Sequence, residues 1–240
     1  MQNCPLSIMQ AANLFVAKLN NPVIFIDPTG LAVWFVHGTW ARQRDTKFTD
    51  ETMELVAGHF GQRHFDYYWS GRNSRHCRRD ARDMYVDYIV AWHNENPHDP
   101  IRLVGHSHGG NVAIMVANSL AEYGIRVETL ITIATPVRSD FQLNQGVNVG
   151  QHINIYNLSD AIQINGGRIV HTGLSGRTFS GAENIQIVAT PRTGPLGIWN
   201  RPFYSHEFMH NNTQIWRDSI LPAVRFCRER DLNEWGLPLW

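Results

Sequence analysis

The residues Val104-Gly105-His106-Ser107-His108-Gly109-Gly110 follow the apolar run Ile101-Arg102-Leu103-Val104 and precede a helix-like stretch from Asn111 to Tyr123. Gly-x-Ser-x-Gly in that setting is a sharp strand-to-helix turn that lifts a serine hydroxyl clear of a sheet. Glycine two residues to either side avoids collisions at so tight a bend. The backbone N–H of His108 opens a helix and can face the oxygen of a developing oxyanion. Ser107 is therefore the candidate nucleophile and His108 the first oxyanion donor. A second donor is expected from the loop after the preceding strand, Val36-His37-Gly38-Thr39-Trp40, where Gly38 allows a sharp turn and the Thr39 N–H can reach the site. The plainer reading of that loop is an ordinary turn.

A serine hydroxyl needs a base, and the base needs an orienting acid. In this chain order the acid follows the nucleophile and the base follows the acid. Asp160, in Asn157-Leu158-Ser159-Asp160-Ala161-Ile162, stands just past the apolar strand Ile153–Tyr156. A lone aspartate in a turn is ordinarily an Asx turn or helix cap, and its place in the order favours a catalytic role instead. Twelve histidines compete for the base. Eight lie before or at the elbow, and His152 precedes the acid. His206 is the first candidate, beside the aromatic Trp199–Tyr204 stretch, with His210 and His171 open.

His206-Glu207-Phe208-Met209-His210 also spells H-E-x-x-H, a zinc-peptidase signature if both histidines share a helix face and Glu207 serves as base. The motif falls at the start of its expected helix, and the elbow is supported by far more of the chain. Arg72, Arg75, Arg78, Arg79 and Arg82 cluster at another helix start. They read as a solvated face or as partners for Asp80 and Asp83, with a phospholipid head group as the sharper alternative.

The elements that must position these groups alternate in type. Ala32–Val36 reads as a strand buried on both faces, and Thr49-Asp50-Glu51 caps a helix to about Phe60. Phe65–Trp69 is strand-like. Ala81, Met84, Tyr85, Tyr88, Ile89 and Trp92 mark one face of a helix that Pro97 and Pro100 stop. Strands follow at Ile101–Val104, Val127–Ala134, Ile153–Tyr156 and Ile185–Val188. Gly124 ends the helix after the elbow, and a last helix is expected over Glu207–Arg228, bent near Pro222. Such alternation predicts an α/β fold with a mostly parallel central sheet and helices on both faces. Between Asn165 and Ser205 the chain is glycine-rich and irregular. Its apolar residues, among them Phe179, Ile198 and Trp199, suit an acyl pocket or a lid.

Composition bounds the rest. The 240 residues are 43% hydrophobic and 18% charged, which excludes a disordered chain. Twenty-one basic residues balance twenty-one acidic ones, so no overall field draws in nucleic acid. Three cysteines are too few and scattered for a disulfide scaffold or a cysteine zinc site. No apolar run reaches membrane-spanning length, and the N-terminus lacks a signal-peptide pattern, so export would need another route.

Phe35-Val36-His37-Gly38-Thr39, Gly105-His106-Ser107-His108-Gly109-Gly110, Thr132-Ile133-Ala134-Thr135-Pro136 and Asp160 with His206 together resemble the α/β-hydrolase lipases, in particular small bacterial ones without a large cap domain. The resemblance runs from about Ala32 to the end. It implies Asp160 as acid, because two apolar residues follow it, and His206 as base, because Met209 and Ile215 match the apolar positions after the family's histidine. The separation of 46 positions from Asp160 to His206 exceeds the spacing of minimal lipases. Asn21-Pro22 and Asp27-Pro28-Thr29-Gly30-Leu31 resemble the end of the core of Rhs and YD-repeat proteins, where a toxin domain begins.

The expected organisation is thus an Rhs-core-like remnant over residues 1–31 and a hydrolase domain over residues 32–240. The expected activity is serine-dependent hydrolysis of carboxylic esters, with lipids as the expected substrate, by Ser107, Asp160 and His206 with the amides of Thr39 and His108, needing neither cofactor nor metal. Partners implied are a lipid or ester substrate, a transient membrane surface and an immunity protein, with no nucleic acid. Delivery to a target cell without a cleaved signal is implied, or else a cytoplasmic location. Rival readings are the zinc peptidase on His206 and His210 and a non-catalytic binding module of the same fold.

Overall fold

A computed structural model describes residues 32–39, 47–165, 176–188 and 205–225. Residues 1–31, with their Rhs-like motif, lie outside this set, as do His171, Ile198 and Trp199.

Among the described residues six strands form one all-parallel sheet. In chain order the elements are β1 (Ala32–Val36), α1 (Asp50–Phe60), β2 (Arg63–Asp66), α2 (Arg75–Glu95), β3 (Ile101–His106), α3 (His108–Glu122), β4 (Val127–Ile133), β5 (Val149–Tyr156), α4 (Ala161–Asn165) and β6 (Glu183–Gln186). Their order across the sheet is β2-β1-β3-β4-β5-β6. β3, which leads into Ser107, is therefore central, flanked by β1 and β4.

Alternation along each strand sorts the core onto two faces. Trp34, Val36, Leu103 and Leu130 pack with Tyr85, Ile89, Val112 and Val116 of α2 and α3. Val33, Phe35, Val104, Ile131, Ile153 and Ile155 pack with Met53 and Val56 of α1 and with Trp216 and Ile220 near the chain end. Every residue of β1 and β3 is buried, as a strand covered on both sides requires.

Local signals set the helix ends. Thr49 caps α1 by accepting from Thr52 N–H, and Gly61 closes it at φ 63°. Ser74 caps α2 through Cys77 N–H. Several expectations shift, β6 among them, which runs over Glu183–Gln186 rather than Ile185–Val188. β2 ends at Asp66, where its pairing with β1 stops opposite Phe35. β5 begins at Val149, four residues early, pairing with Val127. Among the described residues the long final helix does not form. Residues 205–207 make one helical turn, and then Asn212 starts a new helix by accepting from Gln214 and Ile215 N–H. It continues as a π-turn, Trp216–Ile220, and a 3-10 turn, Leu221–Ala223, that holds Pro222, whose missing N–H cannot extend an α-helix.

Candidate active site

Ser107 sits between β3 and α3 at φ 54°, ψ −130°, a backbone that a side-chain-bearing residue adopts only under constraint. The constraint is packing of backbone on backbone. A Cβ on Gly105 would lie 2.5 Å from Gly110 Cα, and one on Gly109 would overlap Val36 O and His37 O at the end of β1. These glycines let the first turn of α3 press against two strand ends. Ser107 N–H donates to Ile133 O at 2.8 Å, tying the elbow to β4.

The serine hydroxyl donates to His206 Nε2 at 2.8 Å, and His206 Nδ1–H donates to Asp160 Oδ2 at 2.8 Å. All three side chains are buried. They come from three places along the chain: the elbow, the loop after β5 and the turn at residues 205–207. Asp160 Oδ1 also accepts from Gln163 N–H at 2.9 Å, so the carboxylate caps the first turn of α4 as well as holding the imidazole. His206 is pinned from the other side, since His106 Nε2–H donates to His206 O at 3.1 Å.

The loop after β1 is braced by residues the sequence reading did not single out. Trp69 Nε1–H donates to His37 O at 3.0 Å and Trp69 N–H to His37 Nε2 at 3.3 Å, while the two rings stack. His37 Nδ1–H donates to Gly38 O at 2.8 Å. Gly38 lies against the elbow: a Cβ there would stand 3.1 Å from Ser107 Cβ. Thr39 is therefore next in chain to the residue that lies against Ser107, and its side chain is buried. Only tertiary contact reveals the bracing role of Trp69.

The neighbouring histidines are held neutral. Burial lowers His37 to about 4, its bond to Gly38 O opposing the shift. Burial, helped by Arg78 and Arg138, lowers His108 to about 3. Burial lowers His210 to about 3 as well.

The H-E-x-x-H residues do not form a metal face. The helix carrying His206 ends at residue 207, so the four-residue spacing is not helical. Both ring nitrogens of His206 are engaged by Ser107 and Asp160. The His210 ring stacks on His106 at 3.8 Å, with its Nε2–H donating to Lys47 O. Among the described residues no three His, Cys, Asp or Glu side chains are grouped to hold a metal ion. In the arginine cluster, Arg75 pairs with Asp140 rather than Asp80, Arg82 pairs with Asp83, and Arg78 is buried with Nη1 donating to Asn73.

A parallel sheet with a serine at a strained strand-to-helix turn defines an α/β-hydrolase. More narrowly, the chain belongs to the thioesterase domain family, whose model matches residues 30–149. That stretch holds Thr39, Ser107 and His108 and ends before Asp160 and His206. Among solved structures the chain is similar to an alpha-beta serine hydrolase homologue from Coxiella burnetii, at 14% identity over 67% of this chain and 76% of that one, with a TM-score of 0.43. It is also similar to an extracellular alpha/beta-hydrolase from a Paenibacillus species, described as sharing structural and functional homology with tobacco salicylic acid binding protein 2. There the identity is 16%, the TM-score 0.28, and the match spans 45% of this chain but only 41% of that one. No curated protein matches the sequence.

Proposed function

We propose that this α/β-hydrolase cleaves carboxylic esters or thioesters by a covalent serine mechanism, with lipid acyl groups as the substrate class. The observation that carries the proposal is the unbroken chain of two 2.8 Å hydrogen bonds from Ser107 through His206 to Asp160. Ser107 Oγ attacks the acyl carbonyl as His206 Nε2 takes its proton. The amides of Thr39 and His108 hold the oxyanion of the tetrahedral intermediate. His206 then returns the proton to the departing alcohol or thiol, leaving an acyl-serine. Water, activated by the same imidazole, releases the acid and restores the hydroxyl. Asp160 keeps His206 in the Nδ1–H tautomer and stabilises the imidazolium formed in each step. The thioester alternative comes from the family; the lipid class comes from the lipase-like motifs and the apolar residues of the 165–205 stretch.

The test is labelling by a fluorophosphonate, which reacts only with an activated serine. Wild type should label and Ser107→Ala should not. Release of nitrophenol from short- and long-chain p-nitrophenyl esters, and of thiol from matching acyl thioesters, then ranks the substrates. Equal labelling of both proteins would refute a Ser107 nucleophile. The toxin reading rests on the motif within residues 21–31 alone; growth arrest on expression, relieved by Ser107→Ala, would support it.

A further inference from the structure

The loop between β5 and α4 presents the carboxylate of Asp160, and one guanidinium gathers its backbone carbonyls. Arg177 Nε–H donates to Asn157 O at 3.0 Å, and its Nη2 donates to Leu158 O at 2.7 Å and to Asp160 O at 3.2 Å. Asn157 O also receives Asp160 N–H at 3.1 Å, so loop and arginine converge on one oxygen. Arg177 is itself fixed at its backbone. Its carbonyl accepts from Asn154 Nδ2 on β5 at 2.8 Å and from Gln163 Nε2 on α4 at 3.4 Å. The residue is 4% exposed. It is thus tied to the strand before the loop, the loop itself and the helix after it.

We infer that Arg177 is a positioning residue that holds the β5–α4 loop so that Asp160 Oδ2 meets His206 Nδ1. Three carbonyls facing one point need several donors in one plane, which a guanidinium supplies and an ammonium does not. Burying that cation is costly, and the nearby carboxylate of Asp160 offsets part of the cost. Gln163 serves both partners: its N–H donates to Asp160 Oδ1 and its side-chain amide donates to Arg177 O. A shift of about 1 Å in a catalytic group is enough to cost about a hundredfold in rate. The inference rests on reading Ser107, His206 and Asp160 as one catalytic set.

A double-mutant cycle tests it, with kcat and KM measured on a soluble p-nitrophenyl ester. Arg177→Met should lower kcat about 10- to 100-fold with KM within about twofold. Arg177→Lys, which keeps the charge but reaches fewer carbonyls, should recover part of the loss. In an Asp160→Asn background, Arg177→Met should cost less than about threefold, because the group it positions is already disabled. An equal loss in both backgrounds would overturn the inference, as would wild-type kcat in a folded Arg177→Met protein. If circular dichroism shows that Arg177→Met does not fold, Arg177→Lys carries the same comparison. Failure of both to fold would assign Arg177 to the stability of the domain and overturn the positioning role. Failure of the underlying catalytic set looks different: Asp160→Asn alone would then leave kcat unchanged.

Discussion

The two oxygens of Asp160 have separate partners: Oδ1 accepts the backbone N–H of Gln163 at 2.9 Å, and Oδ2 accepts Nδ1–H of His206 at 2.8 Å. A helix cap and a catalytic acid are usually rival explanations of an aspartate in a turn. Here one carboxylate is placed for both, and the cap fixes which oxygen faces the imidazole.

The two roles separate by substitution. Asp160→Asn keeps a good capping side chain but loses the charge. It should leave the melting temperature within a few degrees of wild type and lower kcat about 10⁴-fold. Asp160→Ala should lose the same activity and a further ~1 kcal/mol of stability. Equal melting temperatures for the two variants would show that the cap contributes nothing.

Ser107 stores strain that its hydroxyl does not need for folding. Ser107→Gly relieves the φ of 54° and should raise stability by about 1 kcal/mol while removing activity. Ser107→Ala should lower hydrolysis about 10³-fold or more and fold normally. Thermal melts beside ester turnover check both, and near wild-type turnover of either variant would exclude Ser107 as nucleophile.

Two glycine substitutions should move stability in opposite directions. Gly109→Ala puts a methyl group onto the carbonyls of Val36 and His37, which are backbone and cannot step aside. It should cost more than about 3 kcal/mol or prevent soluble expression. Gly58→Ala, exposed within α1 with open space around its Cβ position, should gain about 0.5–1 kcal/mol. Denaturant midpoints report both.

Acid should unfold the protein through its buried histidines. His37 and His152 are held at about 4, and His108 and His210 at about 3, chiefly by burial. Unfolded, each titrates near 6.5. Their contribution is therefore complete above pH 6.5 and is lost as pH falls toward 3–4, by up to about 1.4 kcal/mol per pH unit per group. Asp66 and Glu128, raised by burial, act in the opposite sense and offset part of the loss at the acid end. Melting temperature should fall steadily from pH 7 to pH 5. A flat profile over that range would contradict the four neutral histidines.

The two halves of the zinc-like motif should behave differently. Glu207→Gln and a metal chelator should each leave turnover within about tenfold of wild type, because both nitrogens of His206 are already engaged. His210→Ala should instead lower stability by about 2–4 kcal/mol, since it empties a fully buried place against His106 and Phe48. Loss of activity on chelation would bring metal chemistry back.

What the sequence disclosed follows how local each feature is. The elbow was legible because glycine, serine and the flanking periodicities lie within a dozen residues. The cap at Thr49 and the stop at Gly61 are equally local, and α1 falls where the pattern puts it. Asp160 and His206 are indicated by chain order and family likeness, since beyond the apolar residues that follow them no local pattern marks either one. Trp69 and Arg177 were missed because their partners, His37 and the Asn157–Asp160 loop, lie 17 or more residues away. The final helix was misread because a helical apolar period persists through Trp216–Ile220 although the hydrogen bonding there changes to π.

Ser107 and His206 are 99 residues apart, and the His106 imidazole that pins the carbonyl of His206 is 100 residues from it. Closing so long a loop follows the local pairings of helix and strand in the order of assembly, as non-local contacts generally do. The nucleophile elbow can be complete, strained and docked on β4 while it still lacks a proton acceptor. Hydrolytic competence is therefore a late event, and a refolding chain should recover its sheet and its tryptophan environment at β1 before it regains turnover.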